Sequence, residues 1–300
     1  MSMLSAGIRP PWMERPTPLG RTAKFVVLAI VVLVVLYPFG LAVGTSLTGH
    51  EESIANGGSY VLFPSHPTLD AYRAVLSGGA VSHAVLVSVA ITLAGTLLSL
   101  ICTVFLGYGL SRKDLVGGKP ILFMVLGTFL FAPGMIPSYL TVKELGLLDT
   151  YAALIVPVLV NTFNVIVVRA FFQGLPDELF DAAKIDGASE WRVLFRIAIP
   201  LSKAVIAVIG LFYAVSYWNT FFNAILYLND SSMYPIQVIL RQYIFMGGGP
   251  AASEQLITHN VPASSIQMAV LLIAMIPILA VYPFLQKYFV KGVLTGAIKG

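Results

Sequence analysis

The stretch FVVLAIVVLVVLYPFGLAVGTSL, residues 25–47, runs 23 residues without an Asp, Glu, Lys or Arg. About 20 apolar residues in a helix cross the ~30 Å hydrocarbon core of a bilayer. Within lipid only a helix or a closed barrel satisfies its own backbone hydrogen bonds. Five similar stretches follow, at roughly 85–110, 121–142, 151–168, 204–228 and 266–286, and each is equally free of charge. They are too long and too uniformly apolar for barrel strands. The first exceeds the apolar core of a cleaved signal peptide, about 7–15 residues, and follows a polar leader, so it reads as a retained span. The expected fold is an all-α polytopic membrane protein with six transmembrane helices. Residues 1–24 form a cytoplasmic leader, 25–289 the membrane domain, and 290–300 a cytoplasmic tail.

Composition agrees. Hydrophobic residues are 57% of the 300, charged residues 11%, and the mean hydropathy is +0.86. Soluble chains carry about 25% charge, so this chain cannot coat a water-facing surface, and a soluble enzyme is excluded. The net charge of +4 comes without a basic cluster, which argues against a nucleic-acid partner. Cys102 is the one cysteine, and His50, His66, His83 and His259 lie far apart, so no disulfide framework or metal-ligand spacing exists. Gly118-Lys119 is the one Gly-Lys pair. Lys113 stands where a phosphate-binding loop requires its first Gly, and Pro120 where it requires Ser or Thr. No cofactor or metal site is expected, and the Gly-Lys pair reads as an ordinary turn before the third span.

Orientation follows from basic residues, which favour the cytoplasmic side. With the N-terminus inside, the inner segments hold Arg9, Arg15, Arg21, Lys24, Arg112, Lys113, Lys119, Arg169, Lys184, Arg192, Arg196, Lys203, Lys287, Lys291 and Lys299. The outer segments hold only Arg73, Lys143 and Arg241. Both termini are then cytoplasmic, in the plasma membrane. Segments 48–84 and 229–265 are long outer loops rich in Gly, Ser and Pro. Segment 111–120 is a short basic inner link, and 171–203 a long inner loop with Asp177, Glu178, Asp181, Asp186 and Glu190.

The long inner loop reads as two short helices. Pro176 suits an early helical position, Asp177 and Glu178 suit the helix dipole, and Gly187 suits a C-terminal stop. Ser189 caps a second helix over 190–199, which Pro200 separates from the fifth span. Small Ala182 and Ala183 let another surface approach closely, and Asp181, Lys184 and Asp186 can register it by charge. An amphipathic helix resting on the bilayer is the alternative.

Asp181-Ala182-Ala183-Lys184-Ile185-Asp186-Gly187-Ala188, followed by Ile197-Ala198-Ile199-Pro200, resembles the cytoplasmic loop of binding-protein-dependent ABC importer permeases. That pattern is Glu-Ala-Ala, three residues, Gly, nine residues, Ile-x-Leu-Pro. The spacing matches throughout, with Asp181 in place of Glu and Ile199 in place of Leu. Gly134-Met135-Ile136-Pro137, Leu145-Gly146-Leu147-Leu148-Asp149-Thr150 and the ending from Gln286 to Gly300 resemble the carbohydrate-uptake branch. That branch includes the smaller membrane subunit of the maltose importer and permeases for oligosaccharides and polysaccharides. The resemblance implies a permease that translocates a carbohydrate by alternating access, without bond chemistry. It implies a coupling helix that docks on an ATPase, with Asp181, Ala182, Ala183, Asp186 and Gly187 as docking residues. The implied partners are an ATP-hydrolysing subunit dimer, a second homologous permease and an extracytoplasmic substrate-binding protein.

Polar side chains in the spans are candidates for a transport path. Tyr213, Tyr217, Trp218, Asn219 and Asn223 lie in the fifth span near i, i+4 spacing, where aromatic rings stack on sugars and amides bind hydroxyls. Interhelical packing is the alternative, here and for Asn161 and Asn164. Pro133, Gly134 and Pro137 mark either a hinge or a fixed kink in the third span. Gly40 and Gly44 have the spacing of a helix contact. The outer loop with Tyr234-Pro235, Arg241, residues 247–250 and Glu254 either meets a binding protein or stays solvated. An ion-coupled secondary carrier is the alternative class, but such carriers place ionisable groups within their spans. An intramembrane enzyme would need an activating His, Asp or Glu there.

Overall fold

The computed structural model describes residues 17–77, 79–245 and 261–297, with side chains as far as Val281. The expected leader lies mostly outside these residues, as do residues 247–250 and Glu254 of the outer loop. Among the described residues the chain is helical, with one isolated bridge between Thr48 and Pro67.

α1 (Pro18–Ser46) starts where the Thr17 hydroxyl accepts from Gly20 N, with Pro18 in its first turn. From Phe25 to Tyr37 it exposes nearly every side chain, while Ala42, Gly44, Thr45 and Ser46 are buried. The Gly40/Gly44 spacing serves a close approach of a different kind from the helix contact expected. A Cβ on Gly44 would collide with the carbonyl oxygens of Val61 and Leu62. The partner is thus backbone of the segment between α1 and α4, held by Val61 N donating to Thr45 Oγ1 at 2.9 Å. That segment also carries α2 (His50–Ala55) and α3 (Asp70–Ser77). The Glu52 carboxylate accepts from Ser65 N at 2.8 Å, which holds it below the usual carboxylate range.

α4 (Ala80–Ser111) is the spine. One face carries Ser88, Gly95, Ser99, Thr103 and Gly107, all buried. Lipid supplies no hydrophobic drive between helices, so small residues and hydroxyl bonds must hold them. A Cβ on Gly95 would lie 2.7 Å from the Tyr217 ring, and one on Gly107 2.9 Å from Val168 Cγ1. Ser99 Oγ meets Tyr217 Oη at 2.8 Å, and Thr103 Oγ1 meets Tyr213 Oη at 2.7 Å.

The remaining helices are α5 (Gly118–Leu130), α6 (Met135–Glu144), α7 (Ala152–Val158), α8 (Thr162–Gln173), α9 (Asp177–Ile185) and α10 (Glu190–Leu201). They continue with α11 (Lys203–Trp218), α12 (Phe222–Tyr227), α13 (Ile236–Phe245) and α14 (Ala263–Ala297). Asp149, in the left-handed region at φ 59°, ties the outer turn to the loop after α12. Its carboxylate accepts from Asn229 N at 2.9 Å and Asp230 N at 3.1 Å.

The six expected spans are not six continuous helices. Among the described residues three helices are long and apolar enough to cross a membrane, α1, α4 and α14, and up to five spans result if each bent pair counts as one. The third expected span divides at residues 131–134, around Pro133. Its first part, α5, has 13 residues, about 20 Å at 1.5 Å per residue. The fourth bends by 51° between α7 and α8, where the Asn161 side chain accepts from Asn164 N to start the new helix. The fifth ends at Trp218 and resumes as α12. Pro200 does not end the preceding helix as expected. A π turn over Leu194–Ala198 already loosens the ladder, Pro200 sits in the first turn of the next segment, and the 83° bend falls at Ser202. The last helix runs on to Ala297, through most of the expected tail.

Gly95→Leu should lower the stability of the purified protein by about 1–3 kcal/mol, because the Tyr217 ring is pinned by its hydroxyl bond and cannot retreat. Gly109→Ala, whose Cβ would meet nothing within 4 Å, should be neutral or stabilising by about 0.5–1 kcal/mol. Thermal unfolding in detergent distinguishes the two; equal midpoints would contradict the packing described.

Candidate functional site

At the basic end of the bundle the link after α4 meets the loop that carries α9 and α10. α9 forms where its sequence predicts, except that Pro176 stands just before it at the N-cap and not within its first turn; Asp177 and Glu178 occupy that turn, and Lys184 the last. It closes with Gly187 in the left-handed region at φ 69°. Gly187 N donates to Lys184 O at 3.0 Å and Ala188 N to Ala183 O at 2.9 Å, a Schellman ending. The Ser189 side chain then accepts from Arg192 N to start α10.

The two faces of α9 differ. Phe180 and Ala183 turn inward and are buried, while Asp181, Ala182, Asp186 and Gly187 are exposed. Ile185 is 87% exposed, an apolar side chain with no cover. The expected docking set is thus divided. Ala183, only 8% exposed, packs into the core beneath the helix, apart from the exposed face that carries the other four. A groove of about 490 Å³ lies between α9 and α10, bordered by Leu179, Ala182, Asp186, Arg192, Arg196 and Ile197.

The floor of α9 is fixed to α4. The Arg112 guanidinium lies 4.4 Å above the Phe180 ring and 5.8 Å from the Tyr108 ring, and its side chain is only 20% exposed. The Tyr108 hydroxyl donates to Glu190 Oε2 at 2.6 Å, and Arg112 Nε stands 3.7 Å from the same oxygen. Tyr108 also meets the Phe172 ring edge-on at 5.7 Å. Arg169 Nε donates to Leu110 O at 3.0 Å, tying α8 to the last turn of α4. Two exposed pairs, Lys113–Asp177 at 2.9 Å and Lys184–Asp114 at 3.4 Å, join link and loop. Such pairs set register more than stability. The hydrogen bond to Lys113 holds the Asp177 carboxyl below the usual carboxylate range and pushes the Lys113 ammonium up. The pair is lost only as pH falls through the lowered Asp177 value or rises through the raised Lys113 value, so it persists across the neutral range.

Tyr108, Arg112 and Glu190 escape a reading by sequence. Tyr108 and Arg112 are four residues apart at the end of a span, a hint of a shared face. Their partner Glu190 lies 82 residues from Tyr108, and nothing local marks the pairing.

The five candidate path residues do not share one face. Tyr213 and Tyr217 are buried against α4, and Asn161 N donates to the Tyr213 hydroxyl at 3.0 Å. Trp218 points elsewhere and donates from Nε1 to Ala274 O at 3.0 Å, packing on α14. Asn219 lies at the end of α11, exposed, and its side-chain amide donates to Val215 O at 2.8 Å. Asn223 belongs to the separate α12 and is half-buried. The expected i, i+4 face is broken by the end of the helix at Asn219.

A family model described as "binding-protein-dependent transport system inner membrane component" matches residues 95–295, which include the whole loop that carries α9 and α10. The polygalacturonan/rhamnogalacturonan transport system permease YtcP of Bacillus subtilis is 46% identical over 270 residues, 89% of this chain and 94% of that protein. Protein LplC of the same organism is 49% identical over 243 residues, 81% and 82% of the two chains. In the crystal structure of a bacterial ABC transporter involved in import of the acidic polysaccharide alginate, one chain superposes with a TM-score of 0.86 at 29% identity. The match covers 93% of this chain and 100% of that one. With apolar spans, an exposed helix at the basic end and this similarity along most of its length, the chain belongs to the family of inner-membrane components of binding-protein-dependent transport systems.

Proposed function

We propose that the chain is a permease subunit of an ABC importer for an oligosaccharide, with both termini in the cytoplasm and α9 as the helix that docks on an ATP-hydrolysing subunit. The observation that carries docking is the outward face of α9. Ala182 and Ile185 project from a short helix whose other face is fixed on α4. Ile185, 87% exposed, offers an apolar contact on this face, and Ala182 beside it allows close approach. The excess of basic residues at this end supports its cytoplasmic placement. The absence of Asp, Glu, Lys and Arg from the six apolar stretches favours an ATP-driven importer over an ion-coupled carrier. The sugar class rests on the relatives, YtcP and the alginate importer.

Six stretches form half of a pathway, so a second related permease, two ATPase subunits and an extracytoplasmic binding protein complete the proposed assembly. Tyr213 and Tyr217 serve that pathway by holding α11 to α4. Asn219 and Asn223, with side chains still accessible, are the better candidates for contact with sugar hydroxyls. In this reading Tyr108, Arg112 and Glu190 pass the movement of α9 to α4.

Ala182→Arg should abolish ATP-dependent uptake of oligogalacturonides into proteoliposomes containing the whole importer, and the ATPase should no longer co-purify. Permease level in the membrane should be unchanged. Gly187→Ala costs about 1 kcal/mol of backbone strain and should leave uptake largely intact, whereas Gly187→Trp projects bulk into the docking space and should abolish it. Ala183→Arg should instead lower the amount of folded permease. Normal uptake by Ala182→Arg would overturn the docking reading.

Glu190→Ala and Tyr108→Phe should keep the ATPase bound and hydrolysing while uptake falls at least several-fold. Parallel loss of hydrolysis and uptake would contradict a transmitting role.

A further inference from the structure

A second cavity lies beside the docking loop. It is a cleft of about 520 Å³ between the ends of α4, α5 and α8. Arg112, Lys113, Lys119 and Arg169 line it, with no Asp or Glu among its walls, and Leu115 and Leu122 form its apolar side. Arg112 and Lys113 are partly offset by Glu190 and Asp177. Among the described residues Lys119 and Arg169 form no ion pair. Arg169 uses its Nε on Leu110 O, which leaves its terminal amino groups without a partner among those residues. The field is reinforced by α5, which begins at the cleft with Gly117 at φ 78°, no side-chain cap and no acid in its first turn.

The position of the cleft identifies its occupant. Leu122 belongs to the charge-free stretch that continues as α5, and the following Phe123 and Met124 are exposed apolar side chains. The cleft therefore stands where helices leave the hydrocarbon, at headgroup depth. A phosphate placed there would meet Lys119 and Arg169 while its acyl chains ran along Phe123 and Met124. A zwitterionic headgroup brings its own ammonium into a cationic cleft, whereas an anionic one does not. Gln173 at the wall offers an amide to headgroup hydroxyls. On the orientation proposed above, we propose that this cleft binds the phosphate of an anionic phospholipid from the cytoplasmic leaflet, a site separate from the docking face of α9.

Native mass spectrometry of the purified importer, titrated with phosphatidylglycerol, phosphatidylcholine or glycerophosphate, tests this. Phosphatidylglycerol should be retained on the permease in preference to phosphatidylcholine. Lys119→Gln should weaken its retention about fivefold, as one surface cation does, and Lys119→Gln with Arg169→Gln should remove it. Arg21→Gln with Lys24→Gln, which deletes equal charge from α1, should leave it intact. Equal retention of the two lipids, unchanged retention in Lys119→Gln, or equal loss in the α1 variant would overturn the site. Glycerophosphate that competes as well as the intact lipid would also overturn it, since the occupant would then be a soluble anion. Lys119 is an exposed side chain, so its single variant remains decisive if Arg169→Gln fails to assemble.

Discussion

The close approach of α4 to α11 is the constraint on which the structure depends. Gly95 leaves room for the Tyr217 ring, and the hydroxyl pairs Ser99–Tyr217 and Thr103–Tyr213 then fix the two helices in register. In a bilayer these contacts replace the hydrophobic drive that would assemble a soluble bundle. Gly107 repeats the device against Val168 of α8. Broken helices elsewhere are tolerated because this continuous 32-residue element supplies a common surface for them.

The C-terminal end of the same helix meets the loop that carries α9 and α10. Tyr108 and Arg112 extend the spine by one turn of side chains, and Glu190 and Phe180 rest on them. The route from α9 into α11 along the chain runs through the 83° bend at Ser202. The route through Tyr108 runs by direct side-chain contact from Glu190 and Phe180 to the end of α4. On the proposed function, force applied to Ala182 and Ile185 enters α4 first and reaches α11 through the tyrosine hydroxyls.

Much of this was legible in the sequence. Apolar runs without charge announce helices in lipid, and Pro176, Gly187 and Ser189 mark the ends of α9 and the start of α10 by local rules. Gly187 was readable because a Schellman ending requires a left-handed residue. The faces of α9 were not: Ala182 and Ala183 are adjacent and chemically identical, and only the packing of Phe180 onto Arg112 decides which of them turns inward. The breaks in the spans were half legible. Pro133 signals one, but Pro200 misleads because the π turn before it moves the bend to Ser202. The tyrosines of α11 carry hydroxyls that suit sugars and helices equally, and their partners on α4 lie more than a hundred residues away.

A photo-activated cross-linker placed at Ile185 of the assembled importer, in native membranes, reports what covers α9. It should capture an ATP-hydrolysing subunit, with a yield that changes when a non-hydrolysable ATP analogue closes the ATPase pair. Adducts with lipid alone, from membranes in which the ATPase co-purifies with the permease, would show that α9 rests on the bilayer and would contradict the docking reading.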